Sequence, residues 1–283
     1  MKVLIIGATS SLGTSLVTFF SEFSHVYTAG RKNCDIKIDL SSINKPTAIP
    51  KNLDAVINTA AHFGGIDFKD YMESLNVNVM GLLSLLGVCK KADTKQFIQV
   101  SSTSSLLGTN SDYYGIYSIT KKHADEIASQ FCLAHSLPLT IIRPSQIYGD
   151  DDSFRKHQPF LYAAADCAER GEDIMIYGTN DAKRNHIHVD DLTAILSKIV
   201  QEKILGVFTC THPTDVTFSE IAKAAYSAFN KRGNVRFLQD KSDVQDNVFP
   251  YDSSLFEKIN YYPSVSIEDG LKRISMYREG IKK

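Results

Sequence analysis

Tyr117 and Lys121, four positions apart, are the residues of this chain best suited by type and spacing to move a proton. On a helix of 3.6 residues per turn the two side chains share one face. An ammonium beside a phenol favours the phenolate, so Lys121 is expected to lower a tyrosine pKa that starts near ~10, each unit being worth ~1.4 kcal/mol. Upstream, the apolar approach Gln96-Phe97-Ile98-Gln99-Val100 gives way to the hydroxyl-rich turn Ser101-Ser102-Thr103, from which a hydroxyl can hold a substrate oxygen against the phenol. A tyrosine and lysine at this spacing also occur on ordinary exposed helices, so the surrounding elements decide.

Those elements alternate through the first half of the chain. Residues 2–6 form a short β-branched run of the kind found in a strand buried on both faces of a parallel sheet. Leu16, Val17, Phe19, Phe20 and Phe23 then repeat at helical spacing, and further strands are predicted at 25–28, 53–57, 97–100 and 139–142. A long helical pattern covers about 70–91. This order predicts an α/β chain with a Rossmann-type, doubly wound parallel sheet. Beyond Tyr148 the alternation weakens. Helices at 158–169, 189–201, 218–229 and 267–277 are separated by short strand-like runs at 174–177, 206–209 and 235–238. The expected division is a dinucleotide-binding domain over 1–148 and a smaller C-terminal substrate-binding lobe over 149–283 at the carboxyl edge of the sheet, with some segments returning to the sheet.

Composition sets the bounds. The 283 residues hold 31 Lys plus Arg against 32 Asp plus Glu, a formal charge of −1, which offers no electrostatic reason to expect nucleic acid or an anionic membrane as partner. No unbroken run approaches the ~20 apolar residues of a membrane span, and Met1-Lys2 opens no secretory signal pattern. Five scattered cysteines, at 34, 89, 132, 167 and 210, form no CxxC pair and point to a reducing, cytoplasmic setting.

A glycine-bearing turn between the first strand and first helix offers backbone N–H groups and a helix N-terminus to a pyrophosphate. Here it reads Gly7-x-x-Ser10-x-x-Gly13, with Gly7 permitting the turn and Gly13 allowing helix and strand to pack closely. No Gly-Lys-Ser or Gly-Lys-Thr follows, which excludes a P-loop. At the end of the second strand a carboxylate would bind the adenosine ribose of NAD, whereas an arginine accommodates the 2′-phosphate of NADP. The chain has Gly30-Arg31-Lys32 and no carboxylate before Asp35, so NADP(H) is expected over NAD(H). Asp39 and Leu40 are placed to touch the adenine.

With these marks the sequence resembles the extended short-chain dehydrogenase/reductase family of sugar-nucleotide epimerases, dehydratases and keto-sugar reductases. The resemblance spans nearly the whole chain: GATSSLG at 7–13, Asp39-Leu40, Asn58-Thr-Ala-Ala61, Asn78-Val-Met-Gly81, Val100-Ser-Ser-Thr103, Tyr117-x-x-x-Lys121, Arg143-Pro144 with Tyr148-Gly149, and Arg184-Asn-His-Ile-His-Val-Asp-Asp191. It implies Tyr117 as acid/base, Lys121 on the nicotinamide ribose and Thr103 as the hydroxyl that orients the substrate oxygen. It implies cofactor contacts from Gly7, Thr9, Ser10, Ser11, Leu12, Gly13, Arg31, Asp39, Leu40, Ala60, Ala61, Asn78, Ser101, Tyr117, Lys121, Pro144 and Ile147. Sugar-nucleotide contacts fall on Thr103, Ser104, Gln146 and Arg184. Ser10 departs from the glycine usual at its position, and Gln146 stands where many members have asparagine.

The reaction can be narrowed. Dehydratases of this family carry an Asp-Glu pair after the catalytic hydroxyl residue, whereas Ser104-Ser105 follow here. Epimerisation next to a ketone by a cysteine and histidine lacks its cysteine, since none lies between 90 and 131. What remains is NADPH-dependent reduction of a nucleoside-diphosphate keto sugar, with a 4-keto-6-deoxyhexose expected, or epimerisation with a retained cofactor; a non-catalytic cofactor sensor would typically lack Tyr117 or Lys121. Arg184 suits a diphosphate geometrically, its alternative being an ion pair with Asp190 or Asp191. His186 and His188 share a strand face without a third ligand of clear spacing, so no metal is expected. The resemblance also implies a homodimer through helices near 70–91 and 112–135.

Overall fold

A computed structural model describes residues 1–42 and 48–280. In chain order the strands are β1 (Lys2–Ile6), β2 (His25–Gly30), β3 (Ile36–Lys37), β4 (Ala55–Asn58), β5 (Phe97–Val100), β6 (Leu139–Pro144), β7 (Gln146–Tyr148), β8 (Ile174–Tyr177), β9 (Lys183–Arg184), β10 (His186–His188), β11 (Gly206–Cys210), β12 (Val216–Thr217) and β13 (Val235–Leu238). The α-helices are α1 (Ser11–Ser21), α2 (Phe68–Ser74), α3 (Leu82–Lys91), α4 (Ile116–His135), α5 (Pro159–Arg170), α6 (Val189–Glu202), α7 (Phe218–Ala228), α8 (Ser254–Ile259) and α9 (Ile267–Arg278). They fall into two compact units. One comprises Met1–Pro144, Thr193–Cys210 and Ser253–Tyr261; the other comprises Ser145–Leu192, Thr211–Asp252 and Tyr262–Lys283.

The first unit is built on a seven-stranded sheet in the order β11-β6-β5-β4-β1-β2-β3, with every pairing parallel. This is the doubly wound Rossmann arrangement, whose order reverses at β1 and β4. The segment at 206–209, read from sequence with the C-terminal part, is β11 of this sheet and pairs with β6 through Val207 and Ile141. The central strands are buried along their length, as β1 shows in Val3, Leu4, Ile5 and Ile6. On one face Leu4, Ile6, Val56 and Phe97 meet Leu82, Leu85 and Leu86 of α3 and Ala124, Ala128 and Cys132 of α4. Each large apolar side chain buried in this way stabilises by roughly 1.5–3 kcal/mol. The alanines on α4 let the helix approach the sheet closely, which seats its polar positions beside the end of β5.

Between α2 and α3 the helix continues as a π-helical stretch, Leu75–Gly81, so 68–91 is one helical run. That run is long and apolar enough to cross a membrane by length and composition alone, with mean hydropathy 1.4 in its richest window. Lys69, Asp70 and Glu73 interrupt it, and its α3 part packs into the core just described.

In the second unit three two-stranded pairings, β7 with β10, β9 with β12 and β8 with β13, accompany α5, α7 and α9. Local signals set the helix ends: Pro159 opens α5, a Thr217–Glu220 capping box opens α7 and Ser266 caps α9. The short strands β7, β9, β10 and β12, of two or three residues each, lie below what a periodic pattern can reveal.

Candidate active site

The residues singled out in the first unit follow the carboxyl ends of neighbouring parallel strands: Gly7 after β1, Arg31 after β2, Asp39 after β3, Ala60 and Ala61 after β4, Ser101 after β5. At the first of these ends Gly7 adopts φ +79, and a Cβ there would stand 2.8 Å from Thr59 Oγ1 and 3.0 Å from the Ala60 nitrogen. Only glycine serves both constraints. A Cβ on Gly13 would overlap the Gly7 carbonyl oxygen, the close helix–strand contact expected of this position. Ser10, at φ −77 and ψ 162, needs no glycine; its Oγ accepts the Gly13 amide at 3.0 Å and caps α1. The departure at Ser10 thus fills one N-terminal amide with a side chain. Thr9 is exposed in the same turn, Ser11 begins α1, and Leu12 is buried beneath it.

The carboxylates that follow β2 and β3 are exposed and engaged by local hydroxyls and amides. Asp35 accepts the Thr28 amide at 2.9 Å and the Thr28 hydroxyl at 2.8 Å, and Asp39 accepts the Ser41 amide and hydroxyl at 3.0 and 2.7 Å. The Ser41 hydroxyl bond holds the Asp39 carboxyl below its ordinary range, helped by the positive charges of Arg31 and Lys37. Arg31 itself is exposed. Leu40 backs onto Gly81, where a Cβ would collide with it.

Tyr117 and Lys121 lie in the first two turns of α4. Lys121 is fully enclosed, and its ammonium donates to the Val100 carbonyl at 2.8 Å. Burial pulls its pKa down to about 8, opposed by the negative charge of Asp125. Tyr117 is half-buried, and burial pushes its phenol up to about 12; a side-chain hydrogen bond with Ser102 works the other way, and Asp125 adds to the rise. The expected lowering of the tyrosine by the lysine is therefore reversed. Desolvation dominates at the phenol, and the Lys121 ammonium is turned to the Val100 carbonyl. The hydroxyl bonded to Tyr117 is that of Ser102, which also accepts the Ser104 amide at 3.1 Å; Thr103 is buried at the start of the short turn Thr103–Leu106. Ser101 is buried, with its Oγ lacking a protein partner.

A second layer covers the phenol. The Phe63 ring stacks on Tyr117 at 5.3 Å and 19°, and Gly64, at φ +83, brings the chain so close to α4 that a Cβ would stand 2.9 Å from Ile116 Cγ2. The preceding residue is clamped. Asn78 Oδ1 accepts the His62 amide at 2.7 Å, Asn78 Nδ2 donates to the His62 carbonyl at 2.8 Å and lies 3.0 Å from Thr120 Oγ1, and the His62 ring meets Ser74 and Glu73. Asn78, expected on the cofactor, sits in the π-helical stretch and ties this loop to α4. π-Helical turns often mark functional positions because they re-aim side chains.

The second unit places its motif residues differently. Arg184 is buried, its Nη1 donating to the carbonyls of Lys183 and Gln245 at 2.7 and 2.8 Å and its guanidinium lying 4.7 Å over the Phe218 ring. Asp190 pairs with Arg273 at 2.8 Å, and Asp191 accepts the Ser264 and Val265 amides. Gln146 and Ile147 lie on β7 opposite His186 and Ile187, and the Gln146 Oε1 is buried without a protein partner. His188 stands 3.0 Å from Asp150 and accepts the Asp190 amide at 3.2 Å, with ligand-type atoms of these three residues within 4.8 Å of one another. Those bonds, with Arg273 on Asp190, account for the arrangement as a structural network.

A model of the NAD-dependent epimerase/dehydratase family matches residues 3–207. The chain belongs to this family. Along its whole length it is also similar to the low-salt glycan biosynthesis protein Agl12 of Haloferax volcanii, with 24% identity over 318 residues, 99% of each chain being covered. Among solved structures it is similar to UDP-N-acetylglucosamine 4-epimerase from Bacillus cereus, with a TM-score of 0.80 and 17% identity, covering 100% of this chain and 98% of that one. The Bacillus cereus UDP-glucuronic acid 4-epimerase in complex with NAD gives a TM-score of 0.76 at 19% identity and covers 100% of both.

As a member of this sugar-nucleotide-modifying family of epimerases and dehydratases, the chain has residues that fit a nicotinamide dinucleotide: the Gly7 cradle, the α1 N-terminus and the unpartnered Ser101 hydroxyl near the end of β5. Ser102, Phe63 and His62 were missed from sequence. Ser102 was visible inside the Ser101-Ser102-Thr103 run, but nothing in the run says which hydroxyl meets the tyrosine. Phe63 and His62 lie in an irregular loop, where no periodicity exists to flag them.

Proposed function

We propose that this family member is an NADPH-dependent reductase of a nucleoside-diphosphate keto sugar, with a 4-keto-6-deoxyhexose as the sugar. The observation that carries the reading is the Tyr117 phenol, pushed up to about 12 and hydrogen-bonded by Ser102, which is an acid fully loaded at neutral pH. A reduced nicotinamide held by these residues would supply hydride for the carbonyl carbon. Tyr117 then gives its proton to the oxygen as it becomes an alkoxide, Ser102 and Thr103 orient that oxygen, and Phe63 keeps water from the phenol. Lys121 would hold the nicotinamide ribose, exchanging its bond to Val100 for the ribose hydroxyls. Gly7, Ser10, Gly13, Ala60 and Ser101 would hold the pyrophosphate and neighbouring groups, and Ser104, Gln146 and Arg184 are the proposed sugar-nucleotide contacts.

The preference for NADPH is supported by the exposed Arg31 directly after β2 and by Asp35, whose carboxylate is engaged by the Thr28 amide and hydroxyl. Epimerisation with a retained cofactor is the second reading, supported by the names of the similar solved structures. Purified protein given NADPH and a nucleoside-diphosphate 4-keto-6-deoxy sugar should oxidise NADPH stoichiometrically. Interconversion of epimers without NADPH loss would replace the reductase reading with the epimerase one. A homodimer is proposed through the helical run 68–91, which exposes Phe68, Tyr71, Met72, Leu75 and Met80; sedimentation at equilibrium tests it.

A further inference from the structure

Asp125 lies one helical turn beyond Lys121 and two beyond Tyr117 on α4, and it is almost wholly enclosed. Its Oδ2 takes the Arg143 Nε at 2.8 Å from the end of β6, while its Oδ1 is buried with no hydrogen-bond partner. A carboxylate kept in the interior with one oxygen unsatisfied is unusual, because ordinary core positions either neutralise such a group or pair both oxygens. Lys121, the next ionisable group along this face, has the complementary defect: a buried ammonium with a single neutral acceptor, the Val100 carbonyl. Among the described residues the two make no direct ion pair.

We infer that Asp125 is a positioning residue that holds Lys121 in its ammonium form, acting through its charge from one turn away, with Arg143 fixing the carboxylate in place. The inference rests on the cofactor-holding role proposed for Lys121. The other groups facing this part of α4 do not supply the charge. β5 carries no ionisable residue, and the turn Thr103–Leu106 carries only hydroxyls. α3 brings the Cys89 thiol, with Lys90 and Lys91 in its last turn. α2 brings Lys69, Asp70, the exposed Tyr71 and Glu73; Glu73 pairs with His62 and Lys69, and Asp70 bonds the Asp67 amide. The fields at Lys121 and at Tyr117 both come from Asp125.

The test follows Lys121 directly in the full chain labelled with 13Cε-lysine, its NMR signal assigned by its loss in Lys121→Met. The wild-type signal should titrate near pH 8. Asp125→Asn, which keeps shape and removes charge, should move the midpoint down by about one pH unit or more. A folded Asp125→Asn with an unmoved midpoint overturns the inference, since a purely structural Asp–Arg pair would alter stability and leave Lys121 alone. Where Asp125→Asn does not fold, the double substitution Asp125→Asn with Arg143→Met, which leaves neither partner buried as a lone charge, decides: a lowered midpoint supports the inference, and an unmoved or raised one overturns it. Neither cofactor nor substrate is needed, so failure of the reductase reading would show separately, as absent NADPH turnover by a wild type whose Lys121 titrates as described.

Discussion

Two buried cations show how differently the two units treat charge. Lys121 of the first unit and Arg184 of the second are 2% and 6% exposed. Arg184 is answered by two backbone carbonyls and an aromatic face, the ordinary means of stabilising an interior guanidinium. Lys121 has one carbonyl and a distant carboxylate, and burial draws its pKa down to about 8. A group left under-satisfied in a packed interior holds free energy that a ligand can release, which is why strained ionisable groups gather at functional sites. The same contrast runs through the rest of each site. Tyr117 is displaced toward its neutral form, whereas Asp191 accepts the Ser264 and Val265 amides and His188 meets Asp150 and the Asp190 amide.

The contrast is broken most forcefully at Tyr117. Tyr117→Phe keeps the ring stacked under Phe63 and removes the proton, so turnover should fall by ~100-fold or more while NADPH affinity changes little. Retained activity in a steady-state assay would show that the under-satisfied cluster is not the seat of chemistry. Next come the two cations themselves. Arg184→Met should destabilise by about 2–4 kcal/mol in denaturant unfolding, because the guanidinium bonds to the Lys183 and Gln245 carbonyls and its contact with the Phe218 ring are lost.

Lys121→Met should act in the opposite sense. The folded lysine titrates near 8 and the unfolded one at 10.5, so the unfolded chain binds more protons between those values. The stability lost to burying the charge is therefore largest below pH 8 and fades as pH rises toward 10.5. The methionine variant should be more stable than wild type by about 2 kcal/mol at pH 7, after losing the Val100 bond, with the gain shrinking above pH 8. Equal effects of the two substitutions, measured across pH, would erase the distinction.

Smaller changes sharpen it. Ser102→Ala removes the bond that restrains the Tyr117 phenol and should raise its pKa further, with a loss of roughly 10-fold in turnover; Thr103→Ala in parallel shows which hydroxyl serves the substrate. Phe63→Ala admits water to the phenol and should bring its midpoint down from about 12 toward 10, followed by the ultraviolet absorbance of tyrosinate.

How far the site was legible depended on whether its residues carried a spacing. Gly7, Gly13, Tyr117 and Lys121 stand at fixed offsets from strands and helices that announce themselves by apolar period, and the sheet brings them to one edge. The Arg31 turn was readable for the same reason, as the residue after β2. Ser102 and Asp125 were in view as letters but not as roles, because which hydroxyl meets the phenol and which carboxylate reaches the lysine depend on side-chain direction within a turn. His62 and the adjoining Phe63 were hidden altogether, His62 being held by Asn78 from a helical segment whose π-turns no simple period encodes. Segments 193–210 and 253–261 were also beyond local reading, since joining the first unit is a matter of long-range pairing such as β11 with β6.

The sequence by itself therefore determined the parallel α/β sheet, the glycine turn after β1 and the tyrosine–lysine pair on α4, because hydrophobic period, glycine placement and helical spacing are local properties of the chain. Only the tertiary structure decided the electrostatic state of that pair. Lys121 below its ordinary range and Tyr117 above it are consequences of what α4 is packed against, and the dielectric and partners of a buried group are set by residues distant in sequence, from Val100 to Asp125 and Arg143.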